Sequence, residues 1–168
     1  MDVKLFDPEA SLEERRLVIR RSGDEIEMVE LPWGLQPSET SGSPFTVVRA
    51  EGRRFPTHRC LIPASEFRHR SRGKGYRFSL ASSDWFYFAG IWRPKTRDWP
   101  EAYAILTIES NADIAPFHDR QMAVLPRKDR MDWIDLMRRE EELLRPLPPG
   151  AFKISEDRAE PEEARFAF

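Results

Sequence analysis

The chain has one cysteine, Cys60, in 168 residues. A single thiol excludes a disulfide framework within the chain and makes a reducing compartment, the cytoplasm, the expected setting. Histidine is nearly as scarce, with only His58, His69 and His118. None of these stands at paired ligand spacing, which argues against a structural zinc site; no metal and no cofactor is expected. No apolar run approaches the ~20 residues that cross a bilayer as a helix, so no membrane contact is expected. The N-terminus also lacks the basic-then-apolar order of a signal peptide. Neither sign of charge prevails, the formal net charge being -2.

What is there suffices for one domain with a real core: 40% of the residues are hydrophobic and 11% aromatic. A monomer is expected. The 33% of charged residues are unevenly spread. Between Arg49 and Arg77 nine basic residues (Arg49, Arg53, Arg54, Arg59, Arg68, Arg70, Arg72, Lys74, Arg77) face two acids, Glu51 and Glu66. A basic band inside a nearly neutral domain is compatible with a phosphate-bearing partner. The end of the chain is acidic instead, with Glu156, Asp157, Glu160, Glu162 and Glu163. Residues 1–16 read as a short N-terminal segment, 17–155 as the folded domain and 156–168 as an acidic tail.

Short strands dominate the middle. Leu17–Ile19 and the stretch from Ile26 to Leu31 flank Ser22-Gly23-Asp24, good hairpin chemistry because Gly23 takes positive φ cheaply. Gln36 to Pro44, rich in Ser, Thr, Gly and Pro, reads as a surface loop. Further strands are expected at Phe45–Arg49, Cys60–Ile62, Tyr76–Leu80, Trp85–Trp92, Ala102–Ile108, Met122–Leu125 and Ala151–Ile154. Ala81 to Asp84 turns the third of these into the fourth, and Gly90 marks a bulge or a close approach. Helix is expected near Ser11–Arg16, as one turn over Asn111–Ala115, and over Lys128–Leu144, where Met131, Ile134, Leu136 or Met137, Leu143 and Leu144 share a face. The fold class is therefore α+β: a mainly antiparallel, curled β core with peripheral helices.

Chemistry concentrates in Ala115 to Pro126, APFHDRQMAVLP, where His118, Asp119 and Arg120 stand at the mouth of a strand. Alone, such a histidine more often buttresses a turn than shuttles a proton. Five other segments stand out with it: WGLQP (Trp33–Pro37), VRAEG (Val48–Gly52), HRCLIPASEF (His58–Phe67), AGIWRP (Ala89–Pro94) and LTIES (Leu106–Ser110). In order and spacing they resemble the SRAP family, the SOS response-associated peptidases or abasic-site processing proteins, from about Leu17 to Ile154. That resemblance implies binding of single-stranded DNA carrying an abasic site. It also implies capture of the aldehyde by a cysteine exposed when the initiator methionine is removed. Amine and thiol then close a thiazolidine ring, which an α-amino group with a pKa of about 7.7–8.0 can begin near neutral pH. Self-cleavage by the same cysteine accounts for the peptidase name.

This chain departs from that pattern. It opens Met1-Asp2-Val3, with no cysteine after the methionine. Val47 falls on the family's motif asparagine and His69 on its glutamate. Cys60, in an apolar strand, reads as buried and inert. What the resemblance carries over is Arg49 and Arg120 as phosphate-holding arginines, Thr107 as the polar residue ending its strand, and His118 as the proton carrier. The catalytic candidates are thus His118, His69 and Thr107. Arg49, Arg120, Trp33 and Arg59 are the candidates for DNA contact, with Phe67 as a second stacking face. The expectation is single-stranded or abasic DNA bound without a covalent link and without autopeptidase activity. Two readings stand beside it: an active enzyme whose true start lies upstream, and a pseudo-enzyme that binds a protein through its late helix and acidic tail.

Overall fold

The computed structural model describes residues 14–39 and 42–157. The helix expected near Ser11 lies mostly outside them, as does the tail after Asp157; Arg15 and Arg16 open a strand. β1 (Arg15–Ser22) and β2 (Glu25–Pro32) form the hairpin expected, in register from Arg15↔Pro32 to Ser22↔Glu25. Gly23 in its turn has φ 60°, the left-handed geometry that two-residue hairpin loops require.

Beyond the loop come β3 (Val47–Arg49) and β4 (Arg59–Ala64), then β5 (Phe67–Ser71) and β6 (Lys74–Leu80). They are followed by β7 (Phe86–Arg93), β8 (Ala102–Glu109), β9 (Arg120–Met122) and β10 (Val124–Leu125). The last strand is β11 (Phe152–Glu156). Eight strands make one sheet in the order β2-β1-β4-β7-β8-β3, with β9 on β8 and β10 on β7; β11-β6-β5 make a second sheet. Among the described strand pairs only β3 and β8 run parallel, with a single further parallel bridge at Trp33↔Tyr103. The class is the mainly antiparallel α+β one expected, and its sheets are open rather than curled shut.

Strand alternation divides the interior in two. Tyr87, Ala89 and Ile91 of β7, with Ala102, Ala104 and Leu106 of β8, join one cluster with Phe55, Trp133 and Leu143. Phe86 and Phe88, with Tyr103 and Ile105, join the other with Phe67, Phe78 and Phe152 of the smaller sheet. The large sheet is thus covered on both faces, which is why β4 and β7 read as nearly continuous apolar runs. Phe67, fully buried, stacks on Phe78 at 5.3 Å and meets Phe86, Phe88 and Phe152 edge-on. It is a core residue and offers no stacking face to DNA.

Two expectations fail. The turn at Ala81–Asp84 does not join neighbours: β6 belongs to the small sheet and β7 to the large one. β6 pairs instead with β5 and β11, and β7 with β4, β8 and β10, so Phe78 and Phe86 enter one buried cluster from opposite sheets. The helix expected over Lys128–Leu144 breaks into a 3-10 turn (Arg127–Asp129), α1 (Arg130–Ile134) and α2 (Glu140–Leu143). Leu136 takes φ 59° between them and Arg139 is extended. The break lets Trp133 lie against Arg59 at 4.2 Å while Glu140 reaches the same guanidinium and the Phe55 amide. Tertiary contacts of this kind outweigh the propensity of a short helix.

Gly90 is a place of close approach. A Cβ there would lie 2.4 Å from Ile62 Cδ1 and 2.9 Å from the Ala104 oxygen. Just before it in the chain β7 and β8 part company, their pairing running from Gly90↔Ile105 to Arg93↔Ala102. β9 and β10 fill the gap: Ala123 donates to Leu106 O (2.8 Å) and accepts from Ala89 N (3.0 Å).

Candidate nucleic-acid interface

The parting of β7 from β8 brings the polar triplet of the sequence to the sheet's end. Thr107 on β8 has Arg49 opposite it on β3 and Met122 opposite it on β9. Arg120, paired in register with Glu109, turns its guanidinium back to Thr107, donating to the carbonyl at 2.9 Å and the hydroxyl at 3.1 Å. The Arg120 amide donates to His118 Nδ1 at 3.0 Å. Arg49, Thr107, Arg120 and His118 therefore occupy one ledge across three adjacent strands.

The loop before β9 is built to aim His118. Buried Asn111 accepts at Oδ1 from the Asp113 and Ile114 amides, both at 3.1 Å, closing the single helical turn expected there. Its own amide donates to Oε1 of buried Gln121 at 2.8 Å, and the His118 amide donates to Ile114 O at 3.0 Å. The His118 side chain is half-exposed, and Asp119 Oδ1 lies 3.3 Å from its Nδ1. Nδ1 can accept from the Arg120 amide only without a proton, and can donate to Asp119 only with one. No single tautomer of the ring can therefore make both hydrogen bonds at once.

His69 arrives from β5, a strand not among those expected from the sequence. It stacks on His118, ring centroids 4.8 Å apart and planes 21° from parallel, and meets Phe67 and Phe78 edge-on. Burial, with the neighbouring His118, pushes its pKa down to about 4. Near neutral pH it is an uncharged ring beneath His118 and not a carboxylate.

Glu51, counted in the sequence only as an acid within the basic band, is central here. It accepts from both ends of the Arg120 guanidinium, at 2.5 and 2.8 Å, and from the Glu109 amide at 3.0 Å. Hydrogen bonding to Arg120 holds its carboxyl at about 2, against the cost of burial. The usable signal was its place two residues beyond Arg49, at the end of a strand. Arg120 is thereby largely neutralised. Exposed Arg49, which has no ion pair among the described residues, is the cation the ledge presents.

The other candidates lie elsewhere. Arg59 is buried in β4: it donates to Phe55 O (2.9 Å) and Arg138 O (3.0 Å) and pairs with Glu140 (3.1 Å). Its charge is enclosed because it ties the segment after α1 to the sheet, so the structure corrects its assignment as a surface DNA contact. Trp33 is half-buried against the inter-sheet cluster, its indole N–H donating to Thr46 O at 2.7 Å, and supports the approach of β3. Cys60 is fully buried, and burial pushes its thiol far above the ordinary range. Val47, on the motif-asparagine position, is exposed beside Ile105.

Fold and ledge together define a class: a two-sheet, mainly antiparallel protein with an arginine–threonine–histidine ledge where its central strands splay. The model of the family described as SOS response associated peptidase (SRAP) matches residues 9–156. The chain belongs to the SRAP family. Solved structures of the same fold include a protein from Bacteroides thetaiotaomicron, 19% identical, with TM-score 0.67 over 87% of this chain and 75% of that one. A phage-related protein from Bordetella bronchiseptica is 23% identical, with TM-score 0.68 over 88% of this chain and 80% of its own. Another Bordetella bronchiseptica protein is 22% identical, with TM-score 0.69 over 90% of each chain. No curated protein matches. No helix among the described residues is long and apolar enough to cross a membrane.

Proposed function

We propose that this protein is a cytoplasmic, monomeric member of the DNA-damage response that binds single-stranded DNA, abasic strands included, and forms no covalent link through its own thiol. The observation that carries the reading is the continuous ledge: Arg49 beside Thr107, Thr107 bonded to Arg120, and Arg120 bonded to His118. Arg49 supplies a phosphate contact, and an aldehyde at an abasic site lies within reach of the half-exposed His118 imidazole. The only cysteine is enclosed, so a thiazolidine cannot form at it. His118 with His69 beneath it can move a proton but supplies no nucleophile.

Fluorescence anisotropy and denaturing gels test this together. Single-stranded DNA with and without an abasic site is expected to bind in a salt-dependent manner, and Arg49→Ala is expected to weaken binding. No adduct is expected to survive denaturation. Absence of binding at low salt sinks the first part; a denaturation-resistant adduct sinks the second.

One observation favours a second reading, as a protein-interaction module. The edge strand β2 exposes Ile26 (43%) and Met28 (66%), an apolar margin that a partner strand could cover.

A further inference from the structure

We propose that the cleft walled by β3 and the segment from Arg93 to Pro100 binds a small organic anion with a flat apolar body, such as an aromatic carboxylate. The site is separate from the ledge, and the inference does not rest on the DNA-binding reading. Strand alternation sets the two apart. Leu106 belongs to the cluster that holds Trp133, so its neighbour Thr107 turns to the opposite face, where His69 and His118 stack. Val48 and Ile91, paired with Leu106 and Ala104, line the cleft from Leu106's side of the sheet.

The cleft has a volume of about 760 Å³, within the ~300–1,000 Å³ of small-molecule sites. Its floor is apolar: Leu35, Phe55 and Ile91 come from the buried core, with Val48 and Trp99 packed against them. Its lining is cationic and holds no acid. Besides Arg49 it carries Arg53, Arg93 and Lys95, all exposed and without an ion pair among the described residues. One ligand has to answer both features. A bare inorganic anion would leave the floor wet, and a neutral hydrocarbon would leave the cations uncompensated. An anion on an apolar ring system meets the two together. The wall opposite β3 is already in place for it. Trp99 donates its indole N–H to Gly34 O (3.0 Å) and its amide to Thr96 Oγ1 (3.1 Å), and Thr96 N donates to Trp99 O (2.9 Å). The Thr96 hydroxyl reaches Gln36 at 3.3 Å, so little ordering remains for the ligand to drive.

The test titrates the full chain by calorimetry with 2-naphthoate, with acetate and with the uncharged 2-naphthylmethanol. 2-Naphthoate is expected to saturate a single site below about 1 mM, and the other two to bind at least about tenfold more weakly. Arg93→Ala combined with Lys95→Ala is expected to weaken 2-naphthoate about tenfold and to leave 2-naphthylmethanol unchanged. Circular dichroism verifies that the variant is folded. Saturating 2-naphthoate is expected to leave single-stranded DNA affinity as it was, so a failure of DNA binding does not touch this inference. No heat from 2-naphthoate, equal binding of 2-naphthylmethanol, or an unaltered affinity in the double variant overturns it. If single-stranded DNA displaces 2-naphthoate, the cleft belongs to nucleic acid and the assignment falls. If an oligoglutamate binds there more tightly than 2-naphthoate, the occupant is an acidic protein segment and the assignment falls likewise.

Discussion

Glu51 receives the Arg120 guanidinium as a two-point fork, its two oxygens at 2.5 and 2.8 Å, though the residues stand 69 positions apart. Its other contact, the Glu109 amide at 3.0 Å, fixes the carboxylate at the end of β8. The pair thus orients Arg120 toward Thr107 and cancels its charge at the point where a phosphate would approach.

Removing that carboxylate charge unmasks a cation. Glu51→Gln is expected to tighten single-stranded DNA binding about fivefold at about 0.1 M salt, the worth of one added phosphate contact. The salt slope should steepen by about 0.7. Titration of DNA at several salt concentrations reads both quantities. An unchanged slope would mean that no phosphate approaches Arg120.

His69 sets the acid limb of stability. Its folded pKa of about 4 lies below the ordinary 6.5, so the unfolded chain binds the proton more readily. The folded state therefore loses stability as pH falls from 6.5 toward 4, and this contribution is flat outside that window. His69→Gln is expected to lessen the decline of Tm across those pH values. A parallel decline in both proteins would show that His69 does not set this limb.

Arg59 and Glu140 are expected to govern stability and not binding. Glu140→Ala leaves Arg59 enclosed without its countercharge and removes the acceptor of the Phe55 amide, 2.6 Å away. Breaking such a pair costs about 3 kcal/mol or more, and Tm should fall by ~10 °C. DNA affinity measured well below that Tm should hold. Should Arg59→Ala abolish DNA binding in a protein of unaltered Tm, Arg59 belongs to the interface after all.

Gly90→Ala tests the packing that lets β9 enter the sheet. The added methyl meets Ile62 Cδ1, the Ala104 carbonyl and Cys60 Sγ within 3.1 Å. Overpacking of this sort costs about 1–3 kcal/mol. The measurement is denaturant unfolding, with a lowered midpoint expected. A midpoint equal to that of the unmodified protein would show that the surrounding side chains yield freely.

The sequence by itself settled the local elements that report their own burial. Alternation and apolar runs marked β4, β6, β7, β8 and β11. Gly23 marked the first hairpin, and the HRCLIPASEF and HDRQM segments carried the family resemblance that the family match bears out. β5 was missed because Arg68 and Arg70 alternate with Phe67, His69 and Ser71, and the charges mask the inward face.

Tertiary structure alone decided which surfaces those elements meet. Periodicity tells that a face is covered but not by what. It could not show that consecutive β6 and β7 lie in different sheets, or that Glu140 would break a helix to reach Arg59. Charge gives even less in advance: Arg49 and Arg59 look alike in the basic band, yet one is exposed and the other enclosed. The stacked His69–His118 rings and the Glu51–Arg120 fork join residues far apart in the chain. Such contacts arise only when the sheets close, because a side chain's partner is fixed by position in space and its neighbours in sequence carry no trace of it.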